Sequence, residues 1–487
     1  MTIDTADRAR EKGIALVYVG VFLVPILLCT GLAVDLGRGY LVRANLAKAV
    51  DAAALAAAHN ITAADSSQAR RVADNIFHAN FPLGFLGANP SGPDMRTSFG
   101  SDGSHIITVS STAIVPTTFM RLAGRDSLRV AATATATLRL VDMAFVIDRS
   151  GSLLGAIHEV QAAAMQFVGY FDQQADRIAL ITFSSGTTVA TEDLSSARGF
   201  NPAAIDAAIA GTEAKGGTAT AEALYQAWDQ LRAVPYGSQS GLRIVVLFTD
   251  GSPNSFPGKF QVMSSTPSGC TSTLWPGNPA VGTLATYDYP YVPPGNNSTT
   301  RLPDDVGLFD THVAGVPYVR PTDNPGGKYH SGSSDDLRKQ NPCIPYLPQQ
   351  SFHDKQVSSG IPTSFQLYLP GQRWLDRLPG GYPNYWLNAN HAARNLAETL
   401  ANAIRNDTDG LNGIRIYTLG LGDLLLASEG SAPAETGASI LQRIANDPAS
   451  SDHNPAQLDG RFFFAADPAQ LNAAFQAVHD EVVRLSQ

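Results

Sequence analysis

No run of lysine or arginine occurs anywhere in this chain, and 43 acidic residues against 34 basic ones leave a formal net charge of −9. That balance argues against a general nucleic-acid binder, which presents a basic face to phosphates. Catalytic signatures are equally scarce. The ten histidines are scattered, and there is no H-E-x-x-H, zinc-type Cys/His cluster, P-loop or G-x-S-x-G elbow. The carboxylate pairs Asp304-Asp305 and Asp335-Asp336 sit in polar loop sequence, read as solvated charge, and His158 reads as a surface or groove residue. None has the set spacing in a cleft that acid–base work requires. The residues describe a binding protein rather than an enzyme. Cysteine is nearly missing as well. Cys29 falls in an apolar run and reads as a packing residue, which leaves Cys270 and Cys343, both in one irregular segment. In an oxidising compartment those two can pair and staple that segment; two unconnected thiols is the other reading.

What is present begins with hydrophobicity. Residues 13–34, GIALVYVGVFLVPILLCTGLAV, contain no charged side chain. At about 1.5 Å per residue the run reaches roughly 33 Å, enough to cross a hydrocarbon core. Pro25 inside it is tolerated in membrane helices. A secretory signal has a shorter apolar core, about 7–15 residues, so the run is read as a transmembrane anchor. Basic residues flank both sides (Arg8, Arg10 and Lys12 before; Arg38, Arg43 and Lys48 after), so charge alone hardly sets the orientation. The next stretch, 35–60, is Ala- and Leu-rich without proline and reads as a helical stalk. Leu36, Tyr40, Leu46, Val50 and Leu55 are expected on its apolar side. Residues 61–140 read as a small α+β module: a helix over 64–79, then β-prone runs such as HIITVSSTAIV and VAATATATLRL.

From Val141 the pattern becomes strand, helix, strand, helix. MAFVID, DRIALITFS, LRIVVLFTD, GIRIYTLGLG and GRFFFAA are short apolar runs separated by helix-like stretches. Continuous apolar strands alternating with helices predict an α/β fold, a doubly wound and mostly parallel sheet over 141–487. In such sheets ligands bind beyond the carboxyl ends of the strands. Three short motifs fall there: DRSGS with Asp148, Ser150 and Ser152; GGT with Thr218; and TDG with Asp250. Two carboxylates and three hydroxyls form an all-oxygen set suited to a small hard divalent cation, Mg²⁺ first, with Mn²⁺ or Ca²⁺ as alternatives. Between the TDG strand and the next helix lies an insertion, 253–390, with little periodicity. Nineteen of the chain's 30 prolines fall in it, so it is expected to be a functional lid or a tolerated surface loop.

The three motifs, in this order and on these elements, resemble the metal-ion-dependent adhesion site of a von Willebrand factor A domain. The resemblance implies that Asp148, Ser150, Ser152, Thr218 and Asp250 ligate a metal, some through water, and that a partner's acidic side chain completes the coordination. The block from Gly13 to about Asn60, with its uncharged span, LAVDLGRGYLVRANL and AVDAAALAAA, resembles TadG-like proteins of the Flp (tight adherence) pilus machinery. It departs from prepilins in one respect: the fifth residue after Gly13 is Tyr18 and not Glu, which argues against prepilin-peptidase cleavage. These resemblances imply a bacterial inner-membrane, single-pass protein. Residues 1–12 would lie in the cytoplasm, residues 13–34 would cross the membrane, and the metal-bearing domain would sit in the periplasm or outside the cell. The expected role is metal-dependent binding of a protein partner in pilus assembly or adhesion, without nucleic acid. The alternative is a pseudopilin-like subunit that acts through its N-terminal helix, with the metal site passive.

Overall fold

The computed structural model describes residues 5–59, 67–100, 104–138, 140–191, 194–195, 197–261, 279–285, 307–314, 317–319, 344, 347–354, 358, 360–368, 385–410, 412–427 and 435–486. They form two compact units, one ending at Leu138 and one running Arg139–Ser486.

The first unit is built on α1 (Thr5–His59), one helix of 55 residues with Pro25 inside it. Among the described residues it is the one helix long and apolar enough to cross a membrane, by length and composition. Tyr18, Val21, Phe22, Ile26 and Leu27 are all exposed, as a lipid-facing segment requires. Further along, α1 buries Val42, Leu46, Ala49, Val50, Ala53 and Ala57, spaced three and four residues apart. This side packs against α2 (Ser67–Asn80) and against an antiparallel sheet of β1 (Asn89–Pro90), β2 (Asp94–Phe99), β3 (His105–Pro116) and β4 (Ser127–Leu138). Strand β3 pairs with β4 along its whole length, and with β2 and then β1 along its other edge.

The expected apolar side of the stalk is corrected here. Leu46 and Val50 are buried, but Leu36, Tyr40 and Leu55 are 51%, 73% and 52% exposed. Six residues separate Tyr40 from Leu46, which turns a helix by about 240° and carries the earlier pair off the buried side. Alanines fill that side because small residues let the helix lie close to the sheet.

The second unit is an α/β sheet with strand order β14-β13-β8-β5-β6-β7. Its elements in chain order are β5 (Val141–Asp148), α3 (Ile157–Val168), β6 (Arg177–Phe183), β7 (Thr187–Val189), α4 (Pro202–Ala210), α5 (Thr220–Ala233) and β8 (Leu242–Thr249). After four insertion strands follow α6 (Tyr385–Arg405), β13 (Ile414–Leu421), α7 (Gly437–Ala445), β14 (Phe462–Ala465) and α8 (Leu471–Ser486). All neighbours are parallel except β7, an antiparallel edge strand. Side chains alternate along each strand: Met143, Phe145 and Ile147 pack under α3, α4 and α8, whereas Ala144 and Val146 face α5, α6 and α7. The chain leaves β5 toward β6 on one side and later returns to β8 on the other, so a crevice opens between the carboxyl ends of β5 and β8.

The described parts of the insertion hold more regular structure than the sequence suggests. Strands β9 (Ser255–Phe260), β10 (Ala280–Ala285), β11 (Gly307–Phe309) and β12 (Pro317–Val319) form an antiparallel sheet in the order β12-β11-β10-β9. Phe256, Phe260, Leu284, Leu308, Leu347 and Leu367 join the same core as α5 and α6, so the described parts are built into the domain and are not a loose surface loop. Pro257 is accommodated because β9 lies at the end of this sheet. Cys270 and Cys343 lie outside the described residues, as do Asp304-Asp305 and Asp335-Asp336.

Candidate functional site

Asp148 is the last residue of β5 and Asp250 immediately follows β8, its direct neighbour in the sheet. Both carboxylates therefore arrive at the β5/β8 crevice. Asp148 is fully buried and Asp250 is 7% exposed. Thr249 Oγ1 donates to Asp148 Oδ2 at 2.5 Å, and the Ser150 amide donates to Asp148 Oδ1 at 2.7 Å, which together fix that carboxylate. Ser152 Oγ donates to Asp250 Oδ1 at 2.8 Å and Ser150 Oγ to the same oxygen at 3.3 Å, while the two serine hydroxyls are 3.1 Å apart.

Thr218 arrives from the loop that starts α5. Gly251 lies against its hydroxyl: a side-chain carbon on Gly251 would stand 3.3 Å from Thr218 Oγ1. The five residues singled out from sequence are thus brought to one place, with Asp148, Ser150, Ser152 and Asp250 in one hydrogen-bonded cluster and Thr218 at its border. The loop holding Thr218 is seated by residues that sequence reading missed. Ser185 Oγ accepts from the Gly217 amide at 2.7 Å, Asn254 Oδ1 accepts from the Thr218 amide at 2.7 Å, and the Thr218 carbonyl accepts from the Asn254 amide at 3.1 Å. Gly216 is required here, with φ of 88° and Ser185 Oγ only 2.8 Å from where a Cβ would sit. The Gly151 amide donates to the Gly216 carbonyl at 2.9 Å and ties the two loops together.

Burial pushes both carboxyl groups above the ordinary aspartate range, and the charge of Asp148 adds to the effect on Asp250. Two buried carboxylates side by side are thus unfavourable as a bare pair, and a cation between them would relieve both. Among the described residues no group of three or more His, Cys, Asp or Glu side chains is placed to hold a metal ion. The donor set here is two carboxylates with hydroxyls, which suits Mg²⁺, Mn²⁺ or Ca²⁺ and not zinc. His158 bonds only to Gln161, at 3.1 Å, and takes no part.

A second polar arrangement lies deeper. Glu222 Oε2 accepts from His353 Nδ1 at 2.5 Å, and His353 Nε2 meets Ser351 Oγ at 2.9 Å. The order Ser-His-Glu matches that of a hydrolase triad. Yet Glu222 and His353 are fully buried and Ser351 is 2% exposed, so no substrate reaches the hydroxyl. Tyr225 stacks on the imidazole at 4.3 Å, and Gln226 Nε2 donates to the other Glu222 oxygen at 2.6 Å. The group fastens the insertion to α5, the helix that follows Thr218.

Two family models match parts of the chain. Residues 142–266 match the von Willebrand factor type A domain, and residues 13–60 match the putative Flp pilus-assembly TadE/G-like family. No curated protein matches the chain. Solved structures similar to it include the vWF domain of the type V pili tip protein Mfa5 from Porphyromonas gingivalis, at 18% identity and TM-score 0.35, covering 72% of this chain and 98% of that one. Also similar is the pilus adhesin SpaC from Lactobacillus rhamnosus GG in its open conformation, at 14% identity and TM-score 0.34, covering 81% of this chain and 34% of that one. Proximal thread matrix protein 1 from the mussel byssus stands at 12% identity and TM-score 0.30, covering 71% of this chain and 46% of that one. The type A match stops at 266, within the insertion, whereas the sheet is completed by β13 and β14 far beyond it. This chain therefore joins a TadE/G-like pilus-assembly segment at 13–60 to a von Willebrand factor type A domain whose matched part spans 142–266.

Proposed function

We propose that this membrane-anchored protein grips a protein partner through a divalent cation held by Asp148, Ser150, Ser152, Thr218 and Asp250, in Flp-type pilus assembly or surface adhesion. The observation that carries this reading is the meeting of two buried carboxylates with the Ser150 and Ser152 hydroxyls at the β5/β8 crevice. When bound, Mg²⁺ or a similar cation supplies positive charge and a coordination position that accepts an oxygen from the partner, an acidic side chain fitting best. Thr249 and the Ser150 amide hold Asp148 in place, and the Ser185 and Asn254 contacts hold Thr218 at the rim. Nothing in this set moves a proton or attacks a bond, so the role is binding and not catalysis.

Thr218→Ala tests the reading because the backbone bonds to Asn254 survive the substitution. The expected result is normal expression and an unchanged melting temperature in chelator, with loss of the divalent-dependent adhesion or pilus assembly that wild type supports. Full function in Thr218→Ala and also in Asp148→Ala would move the role to α1 and make the metal site passive. That pseudopilin-like reading has its own support in the exposed apolar side chains of Tyr18, Phe22, Ile26 and Leu28 on α1. For location, residues 13–34 are proposed to cross the inner membrane with residues 1–12 in the cytoplasm. A reporter fused after Gln487 should then be active only outside the cytoplasm; cytoplasmic activity would reverse the orientation.

A further inference from the structure

The charge-free run of α1 ends at Val34, but the contact between α1 and the small sheet starts before that. The ring of Phe119 lies directly on Gly31: a side-chain carbon there would collide with Phe119 Cγ. Gly31 to Val34 spans about 5 Å of helix, so the loop after β3 reaches roughly that far below the end of the apolar run. Two polar side chains of α1 hold the loops in position. Asp35, 1% exposed, accepts the amides of Thr118, Phe119 and Met120 at 2.9, 2.8 and 2.7 Å. Arg38 donates to Thr118 Oγ1 at 3.1 Å and, on its other side, to the Leu86 carbonyl at 2.8 Å, drawing the loop after α2 to the same level. The first two charges beyond the apolar run are therefore turned toward protein groups.

What these loops present outward is apolar. Leu83 is 80% exposed, Leu122 79%, Phe119 40% and Leu86 39%. Large apolar side chains at the tips of two neighbouring loops are costly in water, and here they sit beside a helix segment that is itself apolar all round. Arg125 stands exposed next to them, as does Arg121, which pairs with the exposed Asp126 at 3.4 Å; both are long enough to place charge among lipid phosphates while their stems lie along apolar surface. Interfacial segments of soluble architecture bury their apolar side about 5–10 Å into the headgroup and acyl boundary, the depth that the Gly31 contact sets here.

We propose that the loops carrying Leu83, Leu86, Phe119 and Leu122 form a collar around α1 that seats in the lipid interface where the helix leaves the bilayer. The proposal rests on the reading of α1 as a membrane anchor. The collar fixes how the small sheet stands on the membrane, because Asp35 and Arg38 bond the loops to the helix.

The test uses the full chain in vesicles of phosphatidylcholine and phosphatidylglycerol, with and without bromine on the upper part of the acyl chains. Leu83→Trp and Leu122→Trp are compared with wild type, whose four tryptophans give the background, and with Leu55→Trp, exposed about 30 Å beyond Val34 along α1. The collar predicts that the added emission at 83 and 122 is blue-shifted and loses most of its intensity to brominated lipid, while that at 55 does neither. Emission typical of water at 83 and 122, with the protein still floating with the vesicles after carbonate, overturns the collar and leaves the anchor standing. Blue-shifted but unquenched emission means that protein and not lipid covers the tips, and also overturns it. Failure to float overturns the anchor and the collar together.

Discussion

Glu222→Ala is expected to destabilise the second unit by about 3–5 kcal/mol, the usual cost of removing one partner from a buried ionic or charge-assisted pair. Glu222 accepts from His353 at 2.5 Å and from Gln226 at 2.6 Å, and no solvent is at hand to replace it. A carboxylate only accepts, so His353 Nδ1 carries the proton and Nε2 faces Ser351, which in turn accepts from the Phe365 amide at 3.1 Å. Truncation leaves donors on His353 and Gln226 unmet in the interior and frees the 347–368 segment from α5. Chemical denaturation should show the midpoint falling, and limited proteolysis should cut between 347 and 368 in the variant but not in wild type. Glu222→Gln retains an acceptor oxygen and should lose less. Unchanged stability in Glu222→Ala would show that this buried group does not hold the insertion in place.

Asp250→Ala is expected to abolish the stabilisation that Mg²⁺ or Mn²⁺ confers. A cation that binds only the folded chain raises its stability by about 2.7 kcal/mol at a hundred times its dissociation constant. With one carboxylate gone, Asp148 and neutral hydroxyls remain, too little negative charge to hold a divalent ion firmly. Without cation the same substitution removes a carboxyl whose ionisation burial and Asp148 oppose in the folded state but not in the unfolded one, so near neutral pH the metal-free variant should melt no lower than metal-free wild type. The two melting curves would then change order on adding metal. Equal metal-induced shifts in both proteins would rule out this site.

Much of the second unit was legible in sequence because its strands are continuous apolar runs with the helices between them. The positions of Asp148 and Asp250 follow from those strands alone, since each sits where an apolar run stops. The seating of Thr218 was not legible: Ser185 and Asn254 lie 33 and 36 residues from it, and hydrogen bonds between loops leave no periodic trace. The insertion strands were missed for a related reason. Strand β9 carries Pro257 and Gly258, and its pairing with β10 joins segments from different parts of a proline-rich stretch. The buried side of α1 was misread because alanine carries little hydropathic signal, whereas Leu36, Tyr40 and Leu55 carry much and point elsewhere. The contacts of Asp35 with residues 118–120 cross more than eighty positions and become visible only once β3 and β4 are paired.

The most direct measurement is the number of Mn²⁺ ions bound per chain, read by electron paramagnetic resonance on the full protein in detergent, for wild type and Asp250→Ala. A cation held by Asp148, Ser150, Ser152, Thr218 and Asp250 predicts one tightly bound Mn²⁺ in wild type, displaced by Mg²⁺, and none in the variant. Equal binding in both proteins, or none in wild type, would contradict it.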